Sequence, residues 1–234
     1  WFVGEFLKNF TPVLTQGLKA AGGIPVWVMM ANSLVMALGI AIGKIAISIT
    51  AAYAIVYFRF PGRELCFVLI FITLMMPVEV RIVPTFQVAA NLNFIDSYLG
   101  LVLPLIASAT ATFLYRQMFM TIPAELLEAA RIDGAGPWRF FVDVVLPLSR
   151  TNTAALFVVL FIYGWNQYLW PLLVTNQESM YTIVMGIQRM VNIPDAVPEW
   201  NLIMAVALLG MLPPLLVVLG MQKLFVRGLV ETEK

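Results

Sequence analysis

Apolar residues run through this chain in long blocks, and the polar positions fall between the blocks instead of alternating within them. From Val26 to Phe58 the one charged interruption is Lys44, and the roughly 30 residues exceed the about 20 that cross a hydrocarbon core. This predicts a first transmembrane helix. Arg59, Arg63 and Glu64 form a polar connection around Pro61 and Gly62, and a second span runs from Leu65 to about Asn91. Pro77, Glu79, Arg81 and Pro84 interrupt it, and prolines free carbonyls that neighbours or water must satisfy, so a kink or break is expected. A third span, Tyr98 to Tyr115, contains Pro104 and ends at Arg116. The fourth, Thr151 to about Val174, finishes in GWNQYLWP, an aromatic cluster suited to a membrane–water boundary. A loop with Pro194 and Pro198 leads to the fifth, Trp200 to Met221, kinked at Pro213 and Pro214. The expected class is an all-α polytopic membrane protein, with a transmembrane domain over residues 27–222 and a tail over 223–234.

Two stretches stand outside the blocks. Residues 1–26 place Phe2, Phe6, Phe10 and Leu14 at near-helical spacing among Glu5, Lys8 and Lys19, which fits either a helix on a bilayer surface or a loop packed on its neighbours. Residues 121–150 read as two short helices and a turn. Pro123 and Pro137 suit first helical turns, Gly134 and Gly136 supply the reversal, and Pro147 ends the second helix. Leu126, Leu127, Ala130 and Ile132 form an apolar face; Glu125, Glu128, Arg131 and Asp133 leave the rest polar.

Composition sharpens the class. Charged residues are 12% against a globular average of about a quarter, so the blocks are membrane spans and not cores of a soluble protein. With 14 basic and 13 acidic residues and no basic cluster, nucleic acid is not an expected partner. Lacking His and holding a single Cys, Cys66, the chain has no imidazole base, no His/Cys metal cluster and no internal disulfide. GIAIGK resembles a phosphate-binding loop but is one residue short, and Ile45 stands where Ser or Thr is needed, so no ATP site is expected here.

Counting five spans puts Arg59, Arg63, Arg116, Arg131, Arg139, Arg150, Lys223, Arg227 and Lys234 on one side, against Lys8, Lys19 and Arg189 on the other, with Arg81 joining these if its helix has left the bilayer there. The positive-inside rule makes the first side cytoplasmic, hairpin and C-terminus included, and places residues 1–26 in the periplasm or its interface. With residues 1–26 outside, one further span is expected upstream if the native start is cytoplasmic.

Glu128, Ala129, Ala130, Gly134, Val144, Leu146 and Pro147 meet the spacing of a known pattern: EAA, three residues, Gly, nine residues, an aliphatic, one residue, Leu-Pro. This resembles the EAA loop of bacterial ABC-importer permeases. NSLVMALG, AAYAIVYFRFPGR, FLYRQMFMTIPAELLEAARIDGA, GWNQYLWPLL and QKLFVRGL look like segments of the carbohydrate-uptake (maltose-permease-like) class, in the same order. Within it, FITLMMPVEVRIVPTFQ, LPLIASATATFL and IYGWNQYLWPLL are most similar to permeases for sn-glycerol-3-phosphate. The resemblance implies a non-catalytic subunit of a bacterial inner-membrane importer. Its partners would be a second permease, two ATP-binding cassette subunits carrying ATP and Mg, and a periplasmic solute-binding protein. It assigns ATPase coupling to Glu128, Ala129, Ala130, Asp133, Gly134, Leu146 and Pro147. A neutral sugar or polyol as solute, and a nucleotide-independent channel, are the alternatives.

Polar residues within the spans are candidates for the solute path. Lys44, near mid-span, meets a solute phosphate or pairs with another helix, for instance through Glu79. Arg81 offers a forked donor to a phosphate or is simply solvated. Asn166, Gln167 and Tyr168 combine hydrogen-bonding groups with aromatic faces suited to polyols, or anchor the span at the interface.

Overall fold

A computed structural model describes residues 2–15, 23–192 and 197–231; the side chains of residues 2, 3, 5–7, 74, 78, 79 and 223–231 fall outside that description. All regular structure in these residues is helical. The organising element is α2 (Val26–Tyr57), a continuous helix whose only glycines, Gly39 and Gly43, lie near its middle. It packs against α6 (Ala109–Met120) on one flank and α10 (Arg150–Trp165) on another. α10 also packs on α13 (Trp200–Glu231), and the Trp165 indole donates to the Gly210 carbonyl at 3.0 Å, tying these helices at a buried level. The main core gathers Ala37, Ala41, Ile49, Phe119, Phe161 and Val206 around α2.

The expected break in the second block is present. α3 (Arg63–Ile72) passes into a 3₁₀ turn at Thr73–Met75, Met76 is extended, and α4 (Val78–Asn91) starts after Pro77. Pro77 has no N–H to continue α3 and suits the start of α4. The third block also breaks: α5 (Tyr98–Val102) and the 3₁₀ turn Leu103–Leu105 meet α6 at 48°. Ser108 restarts the helix, accepting the Ala111 N–H at 3.2 Å. The fourth block stops at Asn166 and resumes as α11 (Leu169–Val174), and α12 (Ile183–Val191) follows before α13. α13 runs on to Glu231, through Pro213 and Pro214 and past the expected end at Met221.

By length and apolarity, two described helices can cross a membrane alone, Val26–Tyr57 and Trp200–Gln222; counting each bent pair as one span gives up to four. Many surface side chains are large and apolar, Val159 (57% exposed) and Leu216 (66% exposed) among them, as suits a chain solvated by lipid or by partner helices. α1 (Phe2–Thr15) packs on α13 and α2, burying Val13. The aromatic positions Phe2 and Phe6, and the loop residue Pro194, lie outside the described side chains or residues.

Gly39 and Gly43 suit close approach of another helix backbone, as GxxxG pairs do. What fills them is different. A Cβ on Gly39 would sit 2.9 Å from Val102 Cγ1, and one on Gly43 would sit 2.5 Å from Ile106 Cγ2, so two side chains of the α5 turn enter the notches. The backbone approach occurs instead at Gly164, against Ala37.

Candidate functional site

Three polar candidates converge. α2, α4, the turn after α5 and the end of α10 enclose a cavity of about 110 Å³ lined by Lys44, Arg81, Thr85, Pro104, Tyr163, Gln167 and Trp170, among others. Lys44 is only 7% exposed, and its Nζ stands 3.9 Å from the centroid of the Tyr163 ring. A desolvated cation–π contact is worth about 2 kcal/mol, which offsets part of the several kcal/mol needed to bury an ammonium. Among the described residues Lys44 has no ion pair and no hydrogen bond.

The helix end shapes this wall. Tyr163 and Gln167 are four residues apart, and Gln167 Nε2 donates to the Tyr163 carbonyl at 3.1 Å as α10 ends. Trp170 is buried and its Nε1 donates to Gly100 O at 3.0 Å, locking α11 to α5. On the opposite wall Arg81 and Thr85 share a face of α4, with the Thr85 hydroxyl donating to the Arg81 carbonyl at 2.7 Å. Arg81 itself is exposed, at the rim.

Lys44, Arg81 and Gln167 therefore meet, whereas Asn166 and Tyr168 are exposed and do not line the cavity. α10 ends at Trp165, and of these three residues Gln167 alone turns to the cavity. Glu79 belongs to α4, and its side chain lies outside the described residues. Tyr163, Thr85 and Trp170 are additions that the pattern of charges did not single out. Helical spacing pointed to Tyr163 from Gln167 and to Thr85 from Arg81, four residues each.

The hairpin takes the expected form. α7 (Ala124–Ile132) ends with Gly134 at φ +69°, the Gly134 N–H bonded to Arg131 O at 3.1 Å and the Ala135 N–H to Ala130 O at 2.8 Å. This pair of bonds is a Schellman motif, which needs a left-handed residue at Gly134. α8 (Pro137–Phe140) starts on Pro137, continues through a π-helical turn at Phe141–Val145 and then α9 (Leu146–Leu148), and meets α10 at 71°. The helix thus passes Pro147 by one residue before breaking at Ser149.

The apolar face divides. Leu127 and Ala130 pack on the main core, but Leu126 and Ile132 are exposed, Ile132 by 86%, as is Trp138 of the second limb at 72%. Glu128, Ala129, Asp133 and Gly134 are all exposed; Leu146 and Pro147 are half-buried. Glu128 makes no ion pair with Arg131, so its carboxylate is open to an outside cation. Tyr53 OH donates to Pro137 O at 2.6 Å and Tyr57 OH to Phe119 O at 3.3 Å, fastening the hairpin base to α2 and α6.

At the other end of α2, Asn32 Nδ2 donates to Ser179 O at 2.8 Å and Tyr181 O at 3.0 Å, while its Oδ1 accepts from Tyr98 OH at 2.7 Å. Asp96 accepts from the backbone N–H of Asn176 and, at 2.9 Å, of Gln177. Slight burial pushes the Asp96 carboxyl up, but these bonds and one from the Asn176 side chain outweigh it and hold the group below its ordinary value.

The described helices thus combine long apolar surfaces, a cavity that receives two cations and an exposed helical hairpin. The chain belongs to the family described as binding-protein-dependent transport system inner membrane component, matched over residues 44–231. It is a multi-pass membrane protein. It is 60% identical over 232 residues to the sn-glycerol-3-phosphate transport system permease protein UgpE of Agrobacterium fabrum, covering 99% of this chain and 82% of that relative. The protein of the same description from Yersinia pestis bv. Antiqua is 65% identical over 210 residues, covering 90% of this chain and 75% of that one. Among solved structures, a bacterial ABC transporter involved in the import of the acidic polysaccharide alginate superposes with a TM-score of 0.76 at 21% identity, covering 95% of this chain and 93% of the other, and so shares the fold.

Proposed function

We propose that this chain is one of two permease subunits of an ATP-driven importer for sn-glycerol-3-phosphate or a related glycerophosphodiester. The observation that carries this reading is identity of 60% across 99% of the chain to a permease named for that solute. The chain supplies five spans, with the broken α3–α4 segment counted as one, and its hairpin and C-terminus face the cytoplasm. A second permease completes the path, two cassette subunits hold ATP and Mg, and a periplasmic protein delivers the solute.

In this reading the hairpin seats on a cassette subunit. Glu128 offers its open carboxylate to a cation there, Ala129 permits close approach, and the exposed Ile132 enters an apolar recess. Ala130 faces inward, and the Ala130–Gly134 turn keeps α7 rigid against the core, so cassette closure moves the helices as a body. Asp133, Leu146 and Pro147 fix the turn and the second limb.

Reconstitution of the whole assembly in vesicles tests it. Uptake of sn-glycerol-3-phosphate is expected to require both ATP and the loaded solute-binding protein. Uptake of a neutral sugar in its place overturns the solute, and flux without nucleotide assigns a channel. Impermeant maleimide labelling of Glu125→Cys in a Cys66→Ser background checks sidedness: labelling in intact cells from the periplasmic side overturns it.

A further inference from the structure

We propose that the cavity between Lys44 and Arg81 is a subsite for the phosphate group of the passing solute. The inference rests on the importer reading for its solute, but the site is argued from its own geometry. Lys44 is 7% exposed and faces a space that also receives Arg81, with no Asp or Glu among the described lining residues. Its three N–H donors are spent on no described acceptor; among the described residues its attractive contact is the π face of Tyr163.

A structural ion pair would put a carboxylate in the cavity, and none lines it among the described side chains, which do not include Glu79. Two cations facing one small space repel each other, and repulsion grows as water is excluded. A resident or visiting anion reverses that sign. The cavity, about 110 Å³, is also far larger than the 10–15 Å³ or so that one water needs, so it has room for a small polar group.

The lining divides in the way a phosphate ester does. Lys44, Arg81 and Thr85 present polar groups, while Tyr163, Trp170 and Pro104 present ring faces and edges to the carbon-bearing part. Gln167 stands on the Tyr163 side, where its amide reaches a hydroxyl. On arrival of the phosphate, Lys44 exchanges a π face for a charged oxygen, and Arg81 at the rim closes from the other side with two donors. On departure, Tyr163 takes the ammonium back. The ring is thus a holding place that keeps Lys44 charged and unpaired between solutes without binding the solute too tightly to release it.

The test uses the assembled importer in vesicles, with Lys44→Met, Lys44→Arg and Arg81→Gln. Saturating loaded solute-binding protein removes its affinity from the measurement. Lys44→Met and Arg81→Gln are expected to lower sn-glycerol-3-phosphate uptake at least tenfold, and Lys44→Arg, which retains the cation, to keep most of it. A second readout is thermal: millimolar inorganic phosphate should raise the unfolding midpoint of the wild-type complex more than that of Lys44→Met. Wild-type uptake and phosphate response in Lys44→Met overturn the proposal. So does loss of uptake in Lys44→Arg equal to that in Lys44→Met. If the Lys44 variants fail to assemble, Arg81→Gln, altered at the exposed rim, decides alone by the same uptake criterion. A wild-type complex that responds to phosphate at Lys44 but carries no sn-glycerol-3-phosphate refutes the importer's solute and leaves the subsite standing.

Discussion

Gly164 of α10 rests on Ala37 of α2 so closely that a Cβ built on it would lie 2.9 Å from the Ala37 Cα. The atom met is backbone, which cannot rotate aside. Two main helices therefore touch at a point where no side chain fits, and that contact sets the wall carrying Tyr163, one residue before. Gly164→Val is expected to cost about 1–3 kcal/mol through overpacking. The check is the unfolding midpoint of the detergent-solubilised protein, which should fall by several degrees; an unchanged midpoint overturns the contact.

Tyr53→Phe removes the hydroxyl that reaches Pro137 O at 2.6 Å while keeping the ring packed on Phe141, 4.8 Å between centroids. Loss of one hydrogen bond of this kind costs about 1 kcal/mol. Amide exchange over residues 137–148 should accelerate by roughly fivefold, with α10 unaffected. Equal acceleration in both would show that the hydroxyl supports the whole fold and not the hairpin base.

At Gly134 the demand is on the backbone, since nothing lies within 4 Å of a Cβ built there and φ is +69°. A left-handed L-residue costs about 1–2 kcal/mol, with Asn among the least affected. Gly134→Asn should keep most of the ATP-driven uptake, and Gly134→Val should lose most of it. Equal activity in the two variants would remove the turn geometry from coupling.

Asp96 gives a pH dependence. Its carboxyl is held below the ordinary 3.8, so its contribution is complete above that value and is lost as pH falls through the lower native one. Because solvent screens the group, the effect is about 1 kcal/mol or less. Exchange protection at the Asn176 and Gln177 amides should be level from pH 5 to 8 and decline below about 4. Asp96→Asn should weaken protection at neutral pH and flatten the acid limb; a variant that keeps the acid decline points to another carboxyl.

Much of the scaffold was legible because burial in lipid leaves long apolar blocks, and Pro77 marked a true break. The breaks at Ala107 and after Asn166 were less visible: Pro104 lies upstream of the first, and the second depends on the Trp170–Gly100 bond, which joins residues 70 apart. The hairpin could be read almost whole, because Gly134, Pro137 and Pro147 act on their own backbone. Its exposed Ile132 could not, since a nine-residue helix gives no direct sign of which apolar residue its neighbours leave uncovered. In the cavity, charge in an apolar block identified Lys44 and Arg81. Tyr163 and Trp170 looked like ordinary span residues until the fold set them opposite those charges.

The notches at Gly39 and Gly43 set a depth gauge. Val102 and Ile106 are four residues apart, as the two glycines are, so each fits its recess only in one axial register. A slip by one helical turn would carry Pro104 and Leu105 about 5.4 Å along α2 and away from their level beside Lys44. Substitutions in the polar lining would thus leave Pro104 and Leu105 at the same level beside Lys44, because the two glycines set that level and the lining does not.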